Sequence, residues 1–185
     1  PAVYRNDLLR AEIYPDSDDA ISPLGNGSDG VYHRVEFAYN RQGEPVERKD
    51  PNGTVHAYDL DNLGRVLHDR VTTVGAGVDN AVLRISRTYE IRGLLETITS
   101  YDNATVGSGN VVNQVARAYD GNGKLVTDYQ EHAGAKGANT LSVSYSFDTT
   151  SSSGVYTNGL RKTSVVYPNG RFVHFLYGTS GGADD

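Results

Sequence analysis

The residues able to do chemistry in this chain fall into a few textual patterns. Gly178-Thr179-Ser180-Gly181-Gly182 fits G-x-S-x-G, the spacing of a serine nucleophile on a tight turn, but that device needs a helix behind the serine and a later acid and histidine. Three residues remain after Gly182, so a flexible tail is the better reading. Gly25-Asn26-Gly27-Ser28-Asp29-Gly30 fits G-x-G-x-x-G, which cradles a pyrophosphate only between a strand and a helix N-terminus. Here Ser22-Pro23-Leu24 precedes it and the strand-like VYHRVEFAY follows, so a connector is expected and no cofactor. Asp16, Asp18, Asp19 and Asp29 could offer oxygens to Ca²⁺, yet neither EF-hand spacing nor its terminal Glu is present, and a solvated acidic loop accounts for them. His33, His56, His68, His132 and His174 lack the spacing of a metal motif and are expected at half-exposed strand positions. Asp59 and Asp61, two apart, could share a face, and turn chemistry explains them equally well. Glycoside hydrolysis needs carboxylates held about 5–10 Å apart in space, and no pair is favoured by sequence. No catalytic residue, cofactor or metal is assigned, and the chain is read as non-enzymatic.

Composition narrows the partners. The chain has 185 residues, with 17 Lys plus Arg against 23 Asp plus Glu, a formal charge of −6 that disfavours a nucleic-acid partner. It has no Cys, hence no disulfide, thiolate site or Cys nucleophile. No apolar run approaches the ~18 residues of a membrane span, and PAVYRNDLLR lacks the layout of a signal peptide. The absence of Met, the start at Pro1 and the ending GGADD are expected of a segment of a longer polypeptide.

The elements that must position these residues are strands. Apolar residues make up only 37 %, while Gly (21) and Tyr (13) are abundant, so core volume must draw on tyrosine, whose hydroxyl then needs a partner. A unit recurs: an apolar residue, a second position two on, and an aromatic two further, all on one strand face. Its instances are Val35-Phe37-Tyr39, Ile85-Arg87-Tyr89, Val115-Arg117-Tyr119, Leu141-Val143-Tyr145 and Val173-Phe175-Tyr177. Three continue to a Gly four residues after the Tyr, at Gly43, Gly93 and Gly123, and Leu60 takes the Tyr place ahead of Gly64. Second apolar-rich runs follow each Gly: EPVERK, RVLHDRV, LLETITSY and KLVTDYQ. Strand, Gly-bearing turn, strand predicts tandem antiparallel hairpins. DPNG (50–53), TNG ending at Gly159 and YPNG (167–170) add turns between units, and LSVSYSF (141–147) alternates as a half-buried strand. No stretch sustains helical periodicity. Residues 15–30 and 132–140 are expected as loops, and the five in-phase tyrosines as core.

HAYDLDNLGRVLHDRV (56–71), with weaker copies in YDGNGKLVTDYQ and YEIRGLLETITSYD, resembles the YD repeat of the RHS family, Tyr-x-Tyr-Asp-x-x-Gly-Arg-Leu. Leu60 replaces the second Tyr and Val66 the final Leu, and YPNGRFVHFLYG resembles an inter-repeat linker. The resemblance spans roughly residues 31–178, with 1–30 linker-like and 179–185 a tail, making 1–185 a single repeat segment. It implies an all-β fold of antiparallel hairpins in a curved ribbon, a slice of the hollow shell that RHS and teneurin-type proteins build. In bacterial members that shell encloses a C-terminal toxin. The chain is too short to close a shell, lacks the Asp-Pro-rich autoproteolytic motif and carries no toxin domain, so neither self-cleavage nor toxicity carries over. The repeat residues are Tyr39, Gly43, Tyr58, Asp59, Gly64, Arg65, Tyr89, Gly93, Tyr119, Asp120, Gly123, Tyr145 and Tyr177. Their expected roles are architectural: Tyr58 packs on the buried face, the Asp59 to Asn62 run supplies turn polarity, Gly64 reverses the chain, and Arg65 lays its stem along neighbouring tyrosines. The implied partners are the remaining repeats of the parent chain and an enclosed toxin domain, in a secreted or surface-associated protein. Exposed tyrosines stacking on sugar faces would instead make a glycan-binding adhesion module.

Overall fold

The computed structural model describes residues 7–14, 33–148 and 161–178. Among them there is no helix, and the twelve strands follow one another through a single sheet in chain order: β1 (Ala11–Ile13), β2 (Arg34–Tyr39), β3 (Pro45–Lys49), β4 (Val55–Leu60), β5 (Val66–Thr73), β6 (Arg84–Tyr89), β7 (Leu95–Tyr101), β8 (Val111–Tyr119), β9 (Leu125–Glu131), β10 (Leu141–Phe147), β11 (Lys162–Val166) and β12 (Phe172–His174). The predicted second strands of the hairpins are β3, β5, β7 and β9, and LSVSYSF is β10 residue for residue. The 132–140 segment is the expected loop between β9 and β10. The acidic loop, the Gly25–Gly30 segment, Gly159 and the Ser180 motif lie outside the described residues.

The chain divides into two compact units, residues 1–88 with 99–112, and residues 89–98 with 113–185. In the first, antiparallel ladders join β1 through β6, and their registers sort side chains by face. Phe37 lies opposite Arg48, Arg48 opposite His56, and His56 opposite Val71, while Tyr58 faces Asp69 and Asp69 faces Ile85. The other face carries Glu36 opposite Lys49, Ala57 opposite Arg70, and Asp59 opposite His68. One face is therefore aromatic and aliphatic with a polar centre, the other mainly charged, the alternation that strand geometry imposes. In the second unit β8 to β12 pair the same way, so that Val115, Gln130 and Leu141 form one cross-strand row and Arg117, Asp128 and Val143 the next.

Hairpin turns of one kind recur at Asn40–Glu44, Asp50–Thr54, Asp61–Arg65, Glu90–Leu94, Asp120–Lys124 and Tyr167–Arg171. In each the first residue's N–H donates to the carbonyl of the fifth at 2.8–2.9 Å, and the fourth, always Gly, donates to the carbonyl of the first at 2.8–3.1 Å. Those glycines have φ between 78° and 89°. This is the three-residue hairpin loop, whose last position needs the left-handed conformation and so selects Gly.

Tyrosines at the predicted core positions are half-buried rather than enclosed. Among the described residues no large side chain is fully buried, the buried apolar ones are Val35, Ala116 and Val165, and Tyr177 is 49 % exposed. The expectation of a tyrosine core is corrected accordingly: within each unit alternation chooses the side a ring takes, and a sheet shields such a side chain only by its strand neighbours.

Candidate functional site

The tyrosine-bearing face collects most of the residues singled out by sequence. Tyr39 ends β2 and donates its hydroxyl to the Leu9 carbonyl at 2.7 Å, Tyr119 ends β8 and donates to Leu95 at 2.7 Å, and Tyr177 donates to Lys162 at 2.8 Å. Each phenol thus satisfies a backbone acceptor of a neighbouring segment, just ahead of β1 for Tyr39 and at the first residue of β7 and β11 for Tyr119 and Tyr177. Tyr89 ends β6 in the same position of its hairpin and is half-buried. Tyr145 is different. It lies mid-strand opposite Val165, with the Lys162 ammonium 4.5 Å over its ring, and no turn follows it directly.

The turn glycines Gly43, Gly64, Gly93 and Gly123 all stand where they are expected. Asp120 begins its turn, and its Oδ1 accepts the N–H groups of Asn122 (2.8 Å) and Lys124 (2.9 Å). Those bonds, the Lys124 N–H foremost, hold its carboxyl below the usual range. Asn40 plays the same part toward Gln42 and Glu44, both at 3.0 Å, and Asp61 toward Leu63 and Arg65, both at 2.9 Å. The Asp61 carboxyl is likewise lowered, first by the Arg65 N–H. In Glu90 the lowering comes first from the Arg92 side chain.

Asp59 does not supply turn polarity. It lies inside β4, and its carboxylate takes Arg70 in a two-pronged pair, Nε at 2.6 Å and Nη2 at 2.9 Å. The turn position belongs to Asp61, because the Tyr-Asp of the quoted motif sits two residues ahead of the Leu60-Asp61 pair that fills the repeat's own slot. Tyr58 points to the face opposite Asp59, stacked near His56 with ring centroids 6.4 Å apart. Arg65 folds back on its turn, Nε to Asp61 Oδ2 at 2.7 Å, where its stem was expected along the tyrosines.

On the tyrosine face of the first unit His56 Nδ1 lies 2.7 Å from Asp69 Oδ1. Burial, seconded by the Asp69 charge, pushes the neighbouring Tyr58 phenol up. An apolar groove of about 310 Å³ runs beside it between Phe37, Pro45, Leu60 and Val66. In the second unit a groove of about 340 Å³ lies over the two cross-strand rows, with Arg117, Asp128, Gln130, His132 and Ser142 as its polar members. Arg117 Nε and Asp128 Oδ1 are 4.0 Å apart, an extended ion pair. On the charged face of the first unit His68 Nδ1 meets Ser86 Oγ at 2.8 Å, and burial pushes its imidazole down, with Arg84 and Arg70 adding to the effect. Of the other histidines, His174 packs edge-on against Phe172 at 4.0 Å, and His33 is half-buried beside β2. Among the described residues no three His, Asp or Glu side chains converge on a point that would hold a metal ion. Among them, also, no helix is long and apolar enough to cross a membrane.

One structurally central residue escapes sequence reasoning. Arg84, 3 % exposed, donates through its guanidinium to the carbonyls of Asn103 (2.8 Å), Ser108 (3.0 Å) and Thr105, and lies 4.0 Å over the Tyr101 ring. It is the internal anchor of the Asp102–Asn110 loop, whose ends are tied by Asp102 accepting from the Asn110 backbone and side-chain amides at 2.7 and 2.9 Å.

No protein-family model matches the chain, and no curated protein matches its sequence. Among solved structures the chain is similar to the crystal structure of TcdB2-TccC3 without the hypervariable C-terminal region, at 14 % identity and a TM-score of 0.34 over 74 % of this chain. It is similar to TcdB2-TccC3-TEV at 13 % identity and 0.31 over 72 %, and to TcdB2-TccC3 at 12 % and 0.35 over 85 %. The chain spans 7 to 8 % of the length of those proteins.

Proposed function

We propose that this chain is a non-enzymatic wall segment of an RHS/YD-repeat protein, one strip of a β-shell that encloses a C-terminal toxin or other cargo in a secreted or surface-associated parent. The observation that carries the reading is the recurrence of one turn geometry down a sheet whose strands keep chain order. Such an array is made by repeating a hairpin, and its partners are the repeats before and after it. The half-covered tyrosine face adds support, since a wall strip acquires its remaining contacts from the rest of the shell.

Electron microscopy of the full-length parent protein tests this directly. A hollow particle is the expected result. A rod or a string of beads would overturn the wall reading and leave outward display of the repeats, with glycan binding to be examined on a sugar array.

A further inference from the structure

The groove of about 340 Å³ in the second unit contains a charge pair that no hydrogen bond closes. Arg117 of β8 lies opposite Asp128 of β9, which in turn faces Val143 of β10. Arg117 Nε is buried and has no hydrogen-bond partner among the described residues, its ion pair with Asp128 Oδ1 being stretched to 4.0 Å. Gln130 stands one row along, two residues from Asp128 on the same strand face, and is exposed. Apolar walls complete the groove: Leu141, 58 % exposed, Val143 two residues on, and Pro168 from the Tyr167–Arg171 turn. The three strands, the 132–140 loop and that turn all lie within the described residues.

We infer that this groove binds a neutral aliphatic amide, its carbonyl accepting from the Arg117 guanidinium, its N–H donating to the Asp128 carboxylate, and its alkyl body against Leu141, Val143 and Pro168. The chemistry follows from the pair. An anion suits Arg117 but is repelled by Asp128, and a cation meets the reverse, whereas a neutral group with acceptor and donor on one edge satisfies both. An amide is such a group. Its O and N lie about 2.3 Å apart, so its edge fits between two charged groups that stand too far apart to bond each other. Packing of the alkyl body on the aliphatic walls adds an apolar term and keeps water from those bonds. A saccharide also carries donors and acceptors for the pair, but its apolar face packs on an aromatic platform, and no Tyr or Phe lines this groove among the described residues. Amides of this class occur as free small molecules and in the main chain of an extended peptide, and both present the same edge.

The test is a titration of the 185-residue chain followed by amide chemical shifts, using isovaleramide, isovalerate, isopentylamine, methyl glucoside and an Ala-Leu-Ala tripeptide capped at both ends. Isovaleramide is expected to bind with a Kd on the order of 10 mM, shifting residues 115–117, 128–130 and 141–143. Isovalerate and isopentylamine, which keep the alkyl body and carry a charge, are expected to bind about fivefold more weakly. Asp128→Asn lifts the repulsion of anions and is expected to reverse the order, isovalerate overtaking the amide. Leu141→Thr changes an exposed strand position and leaves the charge pair in place; it is expected to weaken isovaleramide about threefold. A tripeptide binding at least as tightly as isovaleramide would mark a main-chain amide as the source, and a weaker tripeptide a free small molecule, both within the proposal. Isovalerate or methyl glucoside matching isovaleramide on the parent chain, an unchanged order in Asp128→Asn, or no saturable shift up to about 100 mM isovaleramide would overturn it.

Discussion

Replacing Gly53 by Ala isolates the backbone term on which every one of these turns depends. Gly53 has φ +86°, and a Cβ built there meets nothing within 4 Å, so the substitution adds no clash. The left-handed conformation costs an L-residue about 1–2 kcal/mol. The lower entropy of the unfolded alanine chain returns about 0.4–1 kcal/mol. The net destabilisation is about 1 kcal/mol, a fall in Tm of roughly 2–4 °C for a chain of this size. Gly64→Ala has the same backbone cost at φ +78° and an added one, because the new methyl takes the place of the Glu44 carboxylate. Glu44 must then leave Asn40, whose Nδ2 it accepts at 2.6 Å, which adds about 0.5–1 kcal/mol. Gly53→Asn is milder than Gly53→Ala, since Asn tolerates this region better. Urea unfolding followed by circular dichroism gives the three midpoints and slopes. Gly53→Ala within about 0.3 kcal/mol of the parent, or costlier than Gly64→Ala, would refute the reasoning.

Arg84→Met removes a buried donor from three carbonyls and is expected to cost about 3 kcal/mol, with amide exchange accelerating across 102–110 before the rest of the first unit. Tyr119→Phe deletes the bond to Leu95 and is expected to cost about 1 kcal/mol in denaturant, whereas Tyr177→Phe, at a more exposed ring, costs less. Acid is expected to destabilise the chain in two steps. His68 has its folded pKa below the unfolded one, so its contribution is complete above the ordinary imidazole value of about 6.5 and is lost as pH falls through the depressed one; His68→Gln abolishes this first step in midpoints measured from pH 7 downward. Asp61, Glu90, Asp102, Asp120 and Glu131, all lowered in the fold, stabilise it above ordinary carboxylate pKa values and fail below them, so the steeper loss comes under about pH 4.

Hairpin positions are legible in sequence because Gly at the fourth place after an apolar, strand-like triplet serves a local conformational need. The face of Tyr39, Tyr119 and Tyr177 is legible for the same local reason, the period of two. Their burial is not, because alternation says which side a ring takes and nothing about what lies above it. Asp59 and Asp61 illustrate the limit within one turn: both are acidic, two apart, and only the register shift between Asp59 and Leu60 decides which reaches the loop amides and which meets Arg70 across the ladder. Arg84 is harder still. It sits between Leu83 and Ile85 as an ordinary polar strand residue, and its role depends on carbonyls about twenty residues on, which no spacing rule links to it.

Strand order that copies chain order has a consequence for how the polypeptide is made. Each strand finds a neighbour among the residues just synthesised, so most closing loops, all but β1–β2 and β10–β11, are ten residues or fewer and their entropic cost is small. A nascent hairpin can lock as it leaves the ribosome, without waiting for a distant partner. Duplication of one hairpin inserts a ladder and leaves every other register as it was, which makes length the cheapest property of this sheet for a gene to change.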